Sequence, residues 1–146
     1  DSDISRSRIE GSNIVNSLFR GCSLKDAVFS ASHIKGCNFS GADFTRAAIR
    51  SSALMKSIME GAVWLQTSFY ASQLADIILT GTVDGCTFEN CEFTRLIVQN
   101  ATLTDTFFKN TSLRRTRFID CKADKLTYAF LKNGKADLSD VTMLTP

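Results

Sequence analysis

The residues of this 146-residue chain whose types can do chemistry are few: five cysteines, one histidine and a recurring series of serines. Thiols can bridge, hold a metal or attack an electrophile, so by count alone Cys22, Cys37, Cys86, Cys91 and Cys121 invite a disulfide or metal reading. His33 is the sole candidate for imidazole catalysis, yet Ser32-His33-Ile34 offers neither a second histidine nor a carboxylate to orient it, as a general base requires. There is no GxGxxG turn, phosphate loop or pair of metal ligands, and the Gly-Cys-Ser stretch lacks the strand-to-helix setting of a nucleophile elbow. The expectation is a protein that is no enzyme and holds no metal or cofactor.

What must position these residues is a period of five. Ile4, Ile9, Ile14, Phe19, Leu24, Phe29 and so on to Leu79 make sixteen consecutive large apolar residues at that spacing. One residue is then lost near 80–82, and the period resumes at Val83 and runs through Phe88, Phe93, Val98, Leu103, Phe108, Leu113 and Phe118, then more loosely to Met143. Two places before each of these centres the residue is nearly always small, and on an extended strand positions two apart point to one side, here the interior. All 32 charged residues fall on the other three positions of the repeat, although random placement would turn about two in five of them inward. An amphipathic helix repeats every 3.6 residues and a half-buried strand every 2, so neither yields a strict five; a solenoid of short strands and corners does. Gly81 lies in the shortened repeat, where its backbone freedom absorbs the slip.

In this phase all five cysteines take the small inward position as compact hydrophobes, and no two stack on one side of neighbouring coils, so no bridge is expected. An unbridged set suits a reducing compartment, hence the cytoplasm. Ser12, Ser32, Ser52 and Ser72 form an inward hydroxyl column, continued by Cys91 and Thr111, whose expected task is to satisfy corner carbonyls.

Gly41-Ala42-Asp43-Phe44-Thr45, Asn38-Phe39-Ser40-Gly41 and Lys135-Ala136-Asp137-Leu138-Ser139 resemble the pentapeptide-repeat family. The resemblance implies an all-β fold: a right-handed, four-sided parallel β-helix with four repeats per coil. Over a single domain at 1–146 that gives about seven coils and a rod of roughly 35 Å at the usual strand spacing. The pattern loosens over 123–134, where Asp124 to Gly134 is expected to form a short helix or an irregular coil that caps the end. The start at Asp1, without methionine or cap, is read as a sign that more protein precedes it.

Sorting residues by side of the coil locates a candidate interface. The third side, with centres Ile14, Ile34, Leu54, Leu74, Phe93, Leu113 and Asn133, carries outward Lys35, Lys56, Arg95, Arg114, Arg115, Lys132 and Lys135 against Asp76 and Glu92. A chain of net charge +2 thus has a basic face. The fourth side turns Leu18, Ile58, Ile78 and Ile97 outward as an aliphatic column. Lys35, Lys56, Ile58, Ile78, Arg95, Ile97, Arg114 and Arg115 are therefore the expected partner-binding residues, suited to a protein with an acidic surface. Nucleic acid is not expected, because the basic side lacks the exposed aromatics on which bases stack. No apolar run approaches the roughly 18 residues that span a bilayer. Self-association through coil ends or the apolar strip is the other contact this surface offers.

The resemblance implies several roles. DNA-mimicking modulators of gyrase and other type II topoisomerases are acidic dimers joined at their C-termini; this chain, basic on one face, matches them poorly and keeps that role as the alternative. Recognition or targeting domains of larger proteins, including bacterial effectors acting in a host cytoplasm, match better. The expectation is a non-enzymatic protein-binding or scaffold module.

Overall fold

The computed structural model describes residues 2–144; the termini Asp1, Thr145 and Pro146 lie outside the described residues. Partners on neighbouring parallel strands are twenty residues apart: Ile9 lies beside Phe29, Ile14 beside Ile34, Ile34 beside Leu54 and Ile49 beside Phe69. Twenty residues are four repeats, so the chain forms a four-sided β-solenoid of about seven coils. Most strands are three residues long because the corner takes the other two. The corner lies two places after each centre, where 24 residues have φ between +47° and +84°, and 17 of these are not glycine. Left-handed backbone crowds Cβ against the following carbonyl, most severely in branched side chains. Accordingly none of the 17 is Val, Ile or Thr, and eight are Asn or Asp.

Four sides make three ladders rather than four. One contains Arg8–Glu10, Val28–Ser30, Ala48–Arg50, Ser68–Tyr70, Thr87–Glu89 and Phe107–Lys109; a second contains Asn13–Val15, His33–Lys35, Ala53–Met55, Gln73–Ala75 and Glu92–Thr94. The third joins two sides, because Ile78–Asp84 and Ile97–Thr104 run on through the corner between them. The slip is the cause: the four-residue repeat shifts register between Leu79 and Gly81, and Gly81 takes φ +84°. In earlier coils each of those two sides pairs from coil to coil through isolated bridges, such as Asn38 to Ile58 on one and Asp43 to Val63 on the other.

Inside, equivalent aromatics stack from coil to coil: Phe19 on Phe39 at 4.9 Å, Phe44 on Trp64 at 4.5 Å and Phe69 on Phe88 at 4.7 Å. Among the described residues no charged side chain is buried. The serine column works as a ladder. Ser12 N–H donates to Ser32 Oγ at 3.2 Å, Ser32 N–H to Ser52 Oγ at 3.1 Å and Ser52 N–H to Ser72 Oγ at 3.3 Å, while Ser72 Oγ donates to the Tyr70 carbonyl at 2.9 Å. Cysteine substitutes for serine in the same role: Cys121 Sγ donates to the Val98 carbonyl at 3.1 Å and Cys91 Sγ to the Phe69 carbonyl at 3.5 Å. On the side of Ser57, the bulky Ile77 and Leu96 interrupt the ladder, and Thr116 Oγ1 beyond them is buried without a partner.

The loosened stretch is a helix, α1 (Lys125–Asn133), capped by Asp124 and Gly134. Its Leu131 and Thr127 are buried, and Phe130 meets Phe107 edge-on at 5.1 Å. Asp124 accepts from Thr127 N–H and from Asp105 N–H, each at 2.9 Å, which ties the helix to the coil beneath. Asp124→Ala is expected to cost about 1–2 kcal/mol, measured by urea unfolding. Burial pushes the Asp124 carboxyl up, but the bonds from Thr127 and Asp105 outweigh it and hold the group below its ordinary 3.8. Its contribution is thus present above that value and lost as pH falls through the depressed one, so wild type and variant should converge in acid.

Candidate functional site

Each outward aliphatic of the fourth side stands one place before an inward centre, so alternation along the strand exposes it. Ile58 and Ile78 are 53% and 46% exposed and line one groove of about 520 Å³, together with Thr80 from the shortened repeat and Asn100. Ile97 pairs with Ile78 one coil further on and is half-buried. Leu18, 76% exposed, does not join them: half-buried Asn38 bridges to Leu18 on one side and Ile58 on the other, breaking the column. The charge beside this groove differs from the basic face read in the sequence. Glu60 and Asp76 are among its lining residues. Arg95 donates twice to Asp76, the Nη2 bond at 3.0 Å, and this contact with Arg95, reinforced by Lys56, holds the Asp76 carboxyl below its ordinary range. Lys56 and Arg95 therefore flank and compensate Asp76 rather than present open positive charge.

Lys35 lies away from the groove, on the ladder between Val15 and Met55. Arg114 and Arg115 are exposed in the strandless stretch 112–116 and line two further grooves, of about 450 and 250 Å³. Lys132 is exposed on α1, and Lys135 follows it. Lys35 apart, the other seven expected residues divide into aliphatics at and beside the groove, two cations flanking Asp76 and an arginine cluster two coils on.

Two features escaped the sequence reading. Arg117, beside Ile97 in register, adds a third arginine to the cluster; it sits on the fourth side, one place before Phe118, so sorting by side separated it from Arg114 and Arg115. A polar groove of about 620 Å³ runs along another corner, past Gly11, Ala31, Ser51 and Ala71, with exposed His33 on its wall between Asn13 and Ala53. The small residues two places after successive centres are the signal that finds it. The five thiols are buried and unbridged. Burial pushes Cys86 up to about 11, and it raises Cys91 and Cys121 as well, so these are poor nucleophiles at neutral pH.

A family model described as the SV2A/B/C luminal domain matches residues 52–128, just over half of the chain. A pentapeptide-repeat model, in eight copies, matches residues 22–61. No curated protein matches the chain. Among solved structures, a trypsin-treated form of QnrB1, described as a plasmid-mediated fluoroquinolone resistance protein, superposes with TM-score 0.57 at 17% identity, covering 99% of this chain and 89% of that one. A pentapeptide-repeat protein from the Arabidopsis thaliana thylakoid lumen superposes with TM-score 0.47 at 18% identity over 84% of this chain and 76% of that one. At 17% identity, the likeness to QnrB1 establishes the fold and nothing finer. No helix among the described residues is long and apolar enough to cross a membrane.

Proposed function

The chain belongs to the pentapeptide-repeat family and to the SV2A/B/C luminal-domain family, and from that premise we propose that it is a non-enzymatic recognition module that binds another protein through the Ile58–Ile78 groove. The observation that carries this reading is the pair of half-exposed isoleucines brought together in one groove, which the exposed Val15, Leu18 and Leu65 do not line. Each is tied to a neighbouring coil, Ile58 by its bridge to Asn38 and Ile78 by its pairing with Ile97, so little ordering entropy is lost on docking. Apolar patches that stay exposed on a folded surface mark interfaces. The groove suits an apolar side chain of the partner, and the module is proposed to be the targeting domain of a larger protein. The gyrase-modulating alternative draws on no acidic excess here, since the chain carries 17 basic residues against 15 acidic ones.

Five unbridged thiols support a reducing compartment, the cytoplasm of the producing or of a host cell. The luminal domains of the matched family supply the competing expectation, and compartment-specific labelling of the tagged protein separates the two.

The test is a pull-down with wild type, an Ile58→Asp/Ile78→Asp variant and a Tyr70→Asp control on another face. The proposal expects a partner retained by wild type and control and lost by the groove variant, an effect of at least about tenfold in affinity for two apolar contacts replaced by charge. Equal retention by all three overturns it.

A further inference from the structure

We propose that Arg114, Arg115 and Arg117 form a subsite for the carboxylates of an extended acidic segment of the partner protein, an inference that rests on the protein-binding reading above. Elsewhere on this surface a corner arginine meets an aspartate one coil away: Arg46 lies 2.9 Å from Asp26, and Arg95 pairs with Asp76. Among the described residues these three form no such pair. Ile97 beside Arg117 puts Arg115 in step with the like-charged Arg95 of the coil before, and the bond from Leu113 N–H to the Gly134 carbonyl, 2.8 Å, sets Leu113 beside Lys135. Like charges on facing strand positions repel. A bound anion relieves that repulsion. All three arginines are exposed, and among the described residues none forms an ion pair.

The backbone presents them outward. The ladder is interrupted over 112–116, where Thr116 N–H turns back to the Leu113 carbonyl at 3.2 Å. Grooves of about 450 and 250 Å³ lie on either side. A guanidinium fork receives a carboxylate through two parallel hydrogen bonds, which a lysine cannot reproduce. The larger groove decides between classes of partner, because Asp137 and Asp140 line it together with the arginines. A uniform polyanion such as a sulfated glycan or nucleic acid would meet those carboxylates with like charge. A peptide places its acidic side chains on the guanidiniums and its amides or cations towards Asp137 and Asp140.

The test is an NMR titration of the isotope-labelled chain with the peptide Ser-Glu-Lys-Glu-Ser-Glu-Lys, its Gln-for-Glu counterpart and a heparin hexasaccharide. The expected result is saturable shifting of the Arg114, Arg115 and Arg117 side-chain signals by the Glu peptide, weakened about tenfold or more by the Gln peptide and by Arg114→Glu/Arg115→Glu. Ile58→Asp should leave this titration unchanged, so failure of the groove reading and failure of the subsite are separable. The proposal is overturned by no saturable binding, by equal affinity for Glu and Gln peptides, by shifts elsewhere on the coil, or by tighter binding of the hexasaccharide.

Discussion

Replacing Phe88 with alanine is expected to remove about 3–5 kcal/mol of folding stability, the range for a fully buried aromatic truncated in a packed core. Phe88 is 2% exposed; the rings of Phe69 and Phe108 stack on its two faces at 4.7 and 4.9 Å, and Phe93 meets it at 5.7 Å. The neighbours cannot close the gap, because the backbones beside it are tied at strand spacing on both sides. The cavity therefore persists and adds to the lost transfer energy. Phe107→Ala, one residue away but outward and half-buried, is expected to cost about 1 kcal/mol, since beyond its area it loses an edge-on contact with Phe130 and the Lys109 ammonium 5.8 Å over its ring. Urea unfolding of both variants gives the comparison, and similar losses would mean that the stacks are not built as described.

A second pair of variants reads the five-residue phase itself. Ala47→Asp should abolish folding at neutral pH, whereas Ala48→Asp, its neighbour in sequence, should change stability by less than about 1 kcal/mol. Ala47 is 1% exposed on the inner side; Ala48 opens strand Ala48–Arg50, points outward beside the inward Ile49 and is half-buried. A buried carboxylate without a partner costs about 3–5 kcal/mol, to which the overfilled alanine site adds strain. Circular dichroism and the fluorescence of the buried, unique Trp64 report the outcome. Equal folding of the two variants would contradict the inward assignment.

The fold was legible because burial and charge repeat on the same count. Large residues every five positions and the outward placement of every charge define the sides of the coil, and Gly81 marks where the count fails. What the slip does to the corner was not legible, since one missing residue lets Ile78–Asp84 run on as a strand and merges two sides into one ladder. The candidate site was legible only as columns. Counting by twenties puts Ile58 and Ile78 in line, but adding net charge along a side cannot say which charges pair. Asp76 is one residue on a side of seven basic ones, yet its pairing with Arg95, beside Lys56, takes one of the two positive charges from the middle of that face. Arg117 was overlooked for the opposite reason: it belongs to another side by count but to the same cluster in space.

The claim that the Ile58–Ile78 groove is the recognition face is tested most directly by hydrogen exchange of the chain alone and bound to the partner it retains. The account predicts slowed exchange at residues 57–60, 76–80 and 97–100, with Thr87–Glu89 and Phe107–Lys109 unaffected. Slowing confined to those two strands, or to the ends of the coil, would contradict it.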